Sequence, residues 1–317
     1  MKVIEHLRQA KGTLLSFEIL PPLKGRDIRS IYEGIDPLME FKPSFINVTY
    51  HREEVVYKER GGGLLQKIRL RKRPGTIGIC AMIKAQYNVD TVPHLICGGF
   101  SREETEDALI ELNFLGIGNV LALRGDAVKN EGHFIPERDG HAHAVELIRQ
   151  IAALNKGVYL HEEEQEAAPT DLCVGAACYP EKHPEALNLD IDIAYLKQKV
   201  DAGAAYLMTQ MFFDNAKYFA FVERCRAEGI TVPIIPGLKP LTALRQIGFI
   251  PKTFHVDLPQ AFAAELVKCR TDAEVRRVGV EWCIAQSREL RAKGAPCLHY
   301  YTMGRSEAVR EVLGQVM

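Results

Sequence analysis

Short, almost continuously apolar runs alternate along this chain with longer stretches whose apolar positions recur every three or four residues. The runs occupy residues 13–20 (TLLSFEIL), 45–50 (FINVTY), 94–97 (HLIC), 119–126 (NVLALRGD), 173–180 (CVGAACYP), 206–213 (YLMTQMFF), 233–238 (PIIPGL) and 297–302 (CLHYYT). Runs that are apolar on both parities suit strands covered on both faces, as in a parallel sheet. The stretches between them carry helix signals. Ser101 followed by Glu104 reads as a capping box, and that helix should stop at the glycines of FLGIG, 114–118. Asp190 opens DIDIAYLKQKVDAG and Gly203 closes it; 216–229 and 272–294 behave alike. The segment 75–88 fits either period, but Ile79, Ile83 and Tyr87 fall four apart and a helix is needed there, so helix is expected. Strands alternating with helices predict parallel β/α units. A count of eight favours one closed α/β fold, a single (β/α)8 TIM barrel over 1–317, without internal repeat or linker. Two insertions, 53–73 with its glycine triplet and the basic run RLRKR, and the acidic HEEEQE at 161–166, are expected to be solvated loops.

Composition narrows the function more than the fold. A net charge of −1 on 317 residues gives no long-range attraction to nucleic acid or to an anionic membrane, so a substrate must be recognised by local contacts. The first dozen residues carry charges throughout and lack the apolar core of a secretory signal. No stretch approaches the ~20 apolar residues of a membrane helix. The eight cysteines are scattered without a C-x-x-C pair, which suits reduced structural thiols in the cytoplasm.

The common cofactor signatures are missing. Gly116-Ile-Gly118 follows a helix and precedes a strand, so it reads as a helix stop. His141-Ala-His143 has no companion carboxylate in register, and no metal site is expected. The remaining polar residues sit where barrel strands end, the place where this architecture gathers its chemistry. Glu18 lies inside an apolar strand, where a carboxylate is costly unless functional or paired with a barrel lysine. Arg124 and Asp126 end another run, Thr49 and Tyr50 a third, and Tyr179 a fourth, followed by PEKHPEA. Thr209 and Gln210 interrupt YLMTQMFF, and an amide there needs a partner.

With those residues in view, the chain resembles the methylenetetrahydrofolate reductase family over 16–305. The matching motifs, in the family's order, are SFEILPP, VTY, PHLIC, ALRGD, YPEKHPEA, LKQKVDAGA, TQMFFD, IIPGLKP and HYYTMGR. The resemblance, to the short bacterial type without a regulatory domain, implies a barrel that holds FAD. It further implies reduction of 5,10-methylenetetrahydrofolate to 5-methyltetrahydrofolate with NADH or NADPH, feeding methionine synthesis. By residue, it implies that Glu18 donates a proton and that Asp126 faces flavin and folate. Gln210, Gln246 and Arg305 would bind folate. Thr49, Tyr50, His94, Arg124, Gly125, Ala144, Tyr179, His183, Ala186, Asp192 and Lys199 would contact the flavin cofactor. Three positions depart from the family: His143 stands where a tyrosine is expected, Ile250 where some relatives have an aromatic residue, and Arg52 lies in a loop that differs.

On this reading the folate ring must open to an iminium cation before accepting hydride, and opening requires a proton on N10. Glu18 is expected to supply it, with a pKa raised by burial and by the like charge of Asp126. Asp126 would stabilise the cation, while Arg124, His183 and Lys199 pair with the diphosphate. Two rivals stay open: a flavin-free pterin-binding methyltransferase barrel, and a proline-dehydrogenase-like flavoenzyme. Donor preference and a homo-oligomeric state also remain open at this point.

Overall fold

The apolar runs become strands, and the strands close. In the computed structural model, which describes residues 1–128, 132–161 and 167–317, these are β1 (Leu14–Ile19), β2 (Phe45–Val48), β3 (Glu54–Glu59), β4 (Leu65–Leu70), β5 (Asp90–Ile96), β6 (Asn119–Leu123), β7 (Cys173–Cys178), β8 (Tyr206–Met211), β9 (Ile234–Leu238) and β10 (Cys297–Tyr301). All but β3 and β4 form a closed parallel barrel in the order β1-β10-β9-β8-β7-β6-β5-β2. The connections between barrel strands carry helices, as parallel pairing requires.

Strand parity divides the core in two. Phe45, Val92, Leu121, Cys173, Tyr206, Met208, Ile235 and Cys297 pack together inside the barrel. The alternate positions, among them Leu15, Phe17, Ile46, Val120 and Leu207, face outward against helix residues such as Ile35, Leu38, Ile83, Leu109 and Leu147. This explains why the runs read as apolar on both parities. Large rings inside the barrel need small partners across it. A Cβ on Gly175 would stand 2.3 Å from the Tyr206 ring, and one on Gly237 would stand 2.5 Å from the Thr209 carbonyl oxygen.

The two ends of the barrel differ. Helix Val3–Gln9 covers the N-terminal end, and Val3 joins the interior cluster. The Met1 ammonium sits 2.8 Å from Asp90 Oδ1, and the Val3 N–H donates to Asn119 Oδ1 at 2.7 Å. The C-terminal end is left for chemistry.

Expected elements hold with small shifts. The helix over 75–88 is found as Thr76–Tyr87, ending on left-handed Asn88. Ser101 and Glu104 make the reciprocal capping box. Asn188, rather than Asp190, caps helix Leu189–Asp201. The strand expected at 94–97 begins earlier, at Asp90. The clear correction is the insertion at 53–73, which is an antiparallel hairpin of β3 and β4 rather than a loop. Its physical cause is in the sequence: the β-branched EVVY segment extends readily, and Gly61, Gly62 and Gly63 all take positive φ at the turn. Of the acidic insertion at 161–166, residues 162–166 lie outside the described residues. The eight cysteines are free and buried. Among the described residues no helix is long and apolar enough to cross a membrane.

Candidate active site

Glu18 projects inward near the end of β1 and is only 8% exposed. Register places it beside Asn47 on β2 and Tyr301 on β10. Its Oε2 lies 3.4 Å from His94 Nε2 and 3.8 Å from His299 Nε2. Burial raises the Glu18 carboxyl above the ordinary carboxylate range, against the opposing pull of His94 and Lys239. Burial likewise lowers His94, and takes His299 down to about 3. The pocket thus favours a neutral carboxylic acid between neutral imidazoles. Two buried polar atoms beside it, Asn47 Oδ1 and His299 Nε2, have no hydrogen-bond partner among the described residues, as groups that await a ligand often do.

Only half of the cause expected for Glu18 is found. Burial raises it, whereas Asp126 makes no resolved contribution. Asp126 lies beyond the end of β6 and is exposed; its charge acts instead on His51, Arg124 and Tyr179. The chain reaches Asp126 through Gly125, whose φ of +85° and 3.2 Å Cβ approach to Ile96 call for glycine.

Across the barrel mouth lies a charged flank after β6 and β7. Arg124 grips Glu185 with both terminal nitrogens, at 2.7 Å for Nη2–Oε1, and its guanidinium covers Phe134 at 5.1 Å. Tyr179 meets His183 edge-on at 4.8 Å. Asp192 accepts the His183 backbone N–H at 2.8 Å, and the Glu185 N–H donates to His183 Nδ1 at 3.2 Å. Nδ1 therefore accepts, leaving Nε2 as the donor of a neutral ring. Lys199 reaches the Ala177 carbonyl at 3.0 Å. Burial lowers His183 and Lys199, and Arg124 lowers both further, so the three donors share one field. Donors of this kind, backed by positive charge, could hold a diphosphate once Arg124 exchanges Glu185 and Lys199 exchanges the Ala177 carbonyl for it. Ala144 begins helix Ala144–Leu154, and Ala186 is buried with its carbonyl on Lys182 at 2.6 Å.

The other expected residues are distributed as follows. Thr49 donates through N to the Ile19 carbonyl at 3.1 Å, at the rim next to β1. Tyr50 packs on Phe100 at 5.1 Å and lines a cavity of about 980 Å³ under the β3–β4 hairpin, shared with Arg52, Arg71, Thr76 and Glu137. That cavity lies beside the mouth and includes neither Glu18 nor Gln210, so the site is assigned on chemistry rather than on volume. Gln210 is half-buried on β8, where the register is irregular, and its Oε1 accepts the Met211 N–H at 2.9 Å; its Nε2 has no partner among the described residues. Gln246 caps helix Leu244–Phe254: its Oε1 takes the Thr242 and Ala243 N–H groups at 2.7 and 3.2 Å. Arg305 is exposed after the left-handed pair Met303 and Gly304.

The three departures also find places. Ile250 is 2% exposed within an apolar cluster that includes Met211, Phe213 and Phe262, while its neighbour Phe249 is exposed. His143 is the exposed N-cap of helix Ala144–Leu154. Arg52 places Nη2 3.4 Å from Glu137 Oε1. His141, the other half of the H-x-H pair, bonds Gln150 at 2.5 Å.

Sequence reasoning missed four residues at Glu18: Asn47, His299, Tyr301 and Lys239. The last three stand inside motifs quoted above, IIPGLKP and HYYTMGR. Their signal was polarity at alternate positions of a buried strand, but only register reveals that they meet Glu18.

Comparison with known proteins supplies the family. The family profile described as "Methylenetetrahydrofolate reductase" matches residues 2–317. The chain is 33% identical over 300 residues to methylenetetrahydrofolate reductase 1 of Schizosaccharomyces pombe, covering 94% of this chain and 45% of that protein. It is 30% identical over 305 residues to the 5,10-methylenetetrahydrofolate reductase of Salmonella typhimurium, covering 96% and 90%. The chain spans about half the length of the eukaryotic relatives it matches. A solved structure from Clostridium thermocellum, described as binding two copies of 5-methyl-5,6,7,8-tetrahydrofolic acid, superposes with a TM-score of 0.56 at 12% identity, covering 98% of this chain and 97% of that one, a likeness of fold alone. On the profile match along nearly its whole length, this chain belongs to the methylenetetrahydrofolate reductase family.

Proposed function

We propose that this protein reduces 5,10-methylenetetrahydrofolate to 5-methyltetrahydrofolate, with FAD bound in the barrel mouth, NADH or NADPH as the hydride source, and methionine synthesis as the destination of the methyl group. The observation that carries the reading is the buried acid: Glu18, raised by burial and set between neutral His94 and His299. Ring opening of the folate breaks the bond between its bridging carbon and N10, and the electron pair leaves with N10. A proton must arrive at N10, and Glu18, whose carboxyl burial raises above its ordinary value, is the group that supplies it on this reading. FAD, when bound, supplies the hydride relay between nicotinamide and folate carbon. The charged flank fits its diphosphate, with Arg124, His183 and Lys199 as the donors and Glu185 and Asp192 orienting them. Gln210 offers its unengaged Nε2 to the pterin edge. Asp126, exposed at the rim, supplies negative charge toward the iminium cation. The buried free cysteines support a reducing, cytoplasmic setting.

The rivals account for less. A flavin-free methyltransferase barrel leaves His183 and Lys199 idle, and a proline-dehydrogenase-like enzyme leaves Gln210 idle. The purified protein is expected to be yellow, to release intact FAD on denaturation, and to have its reduced flavin reoxidised by methylenetetrahydrofolate. A colourless protein that also takes up no added FAD would overturn the reading.

A further inference from the structure

Lys239 is the residue after β9, and the strand register fixes its level. Tyr300 pairs with Leu238, and Tyr301 pairs with Glu18. The next residue after Leu238, Lys239, therefore stands level with Tyr301 and Glu18. Ile235 and Gly237 face the barrel interior, and continuing that alternation one residue past the end of β9 turns Lys239 toward the mouth, where its charge acts on the Cys283 thiol and on Glu18. Lys239 is 8% exposed, and its ammonium has no hydrogen bond or ion pair among the described residues. A lysine held that way is costly unless its charge is used.

The groups facing Glu18 can be named strand by strand. They are the neutral amide of Asn47 on β2, His94 on β5, His299 and Tyr301 on β10, and Lys239 beyond β9. Burial holds both imidazoles toward the neutral form and pushes the Tyr301 phenol far up. Burial lowers Lys239 to about 8, so it is mostly an ammonium at neutral pH. The nearby Cys283 thiol, pushed up to about 12, stays neutral. Of the named groups, Lys239 is the one that stays cationic at neutral pH.

We propose that Lys239 is the positioning cation of the proton-transfer step, stabilising the carboxylate that Glu18 becomes when its proton passes to the folate nitrogen. This rests on Glu18 being the acid. Before transfer the pocket holds a carboxylic acid and an ammonium, which attract weakly. After transfer, the proton is on N10, the carbon–N10 bond is broken with its electrons on nitrogen, and a carboxylate faces the ammonium. The interaction grows along the reaction, so it lowers the barrier rather than only tightening binding. The same cation makes Glu18 a stronger acid that loses its proton at lower pH than burial alone would allow.

The test uses the holoenzyme and the variants Lys239→Met, Lys239→Arg and Glu18→Gln, with Lys239→Gln in reserve should Met not be tolerated. The first readout is the infrared carbonyl band of the protonated Glu18 carboxyl, assigned by its absence in Glu18→Gln and titrated with pH. Removing a nearby cation should raise its midpoint by about one pH unit in Lys239→Met, and Lys239→Arg should return it toward wild type. The second readout is the folate half-reaction in single turnover. In Lys239→Met its plateau should fall about three- to tenfold and its high-pH limb should move up by about the same unit. Flavin content and flavin reduction by the nicotinamide donor should stay at wild-type values. An unmoved infrared midpoint overturns the pairing even if Glu18 is the acid. A folate step at wild-type speed in Glu18→Gln sinks the acid reading, and Lys239's catalytic role with it, whatever the midpoint shows.

Discussion

Glu18 and Lys199 are both ionisable side chains drawn into the C-terminal end of one barrel, yet their surroundings differ in kind. Glu18 lies deep, among neutral partners and one cation, Lys239, that makes no contact ion pair with it among the described residues, and burial dominates its titration. Lys199 lies in a flank where Arg124, Asp192, Glu185 and His183 interact at close range, half-buried and partly compensated. Burial pushes each toward its uncharged form, but the flank opposes this with carboxylates, Asp192 acting on Lys199 and Glu185 pairing with Arg124. The difference teaches what each region is for. A group that must carry a proton near neutral pH needs low dielectric and no tight counterion, whereas a group that must hold an anion needs charge kept within reach of solvent.

That contrast breaks most sharply at Glu18. Glu18→Gln keeps size and a hydrogen-bond donor but has no acidic proton. The folate half-reaction should slow by at least about 10²–10⁴-fold while FAD content and flavin reduction stay near normal. Stopped-flow absorbance follows each half separately, and equal slowing of both would mean that Glu18 only shapes the site. The next effect belongs to the opposite flank. Lys199→Met removes one charged donor from the diphosphate set and should weaken FAD about ten- to hundredfold, from ~1.5–3 kcal/mol for a hydrogen bond to a charged group. Fluorescence titration of the apoprotein measures it, and unchanged affinity would remove Lys199 from the cradle. The smallest effect is expected at Gln210, which touches neither region directly. Gln210→Glu replaces its unengaged donor with a charge, so folate should bind about tenfold more weakly with flavin retained. Unchanged folate affinity would make Gln210 structural.

How much of this was legible depended on range along the chain. Barrel strands were readable because both faces of each are buried, which leaves continuous apolar runs. Glu18 was readable because a carboxylate in such a run is anomalous. The β3–β4 hairpin was not, because the charges in RLRKR outweighed the β-branched EVVY segment and the glycine triplet that turns it. Lys239 and His299 were quoted within motifs but not recognised, since their meeting with Glu18 depends on how β9, β10 and β1 align across some 280 residues of chain. The capping role of Gln246 was hidden, because the N-cap residue is Ala243, which has no side-chain acceptor to complete the usual capping-box signature. Ile250, one position along the helix from the exposed Phe249, shows that a single step of helical rotation decides between surface and core.

The most direct test of the account is the pH dependence of the two half-reactions in the wild-type holoenzyme. Glu18 acts only when protonated, and burial raises its pKa above the ordinary value of 4.5. The folate half-reaction should therefore hold its rate at low pH and fall as pH rises through that raised pKa. Flavin reduction, which takes no proton from Glu18, should be flat over the same range. A folate step that already falls with an ordinary carboxylate pKa, or a shared ionisation in both halves, would contradict the claim that burial makes Glu18 the acid.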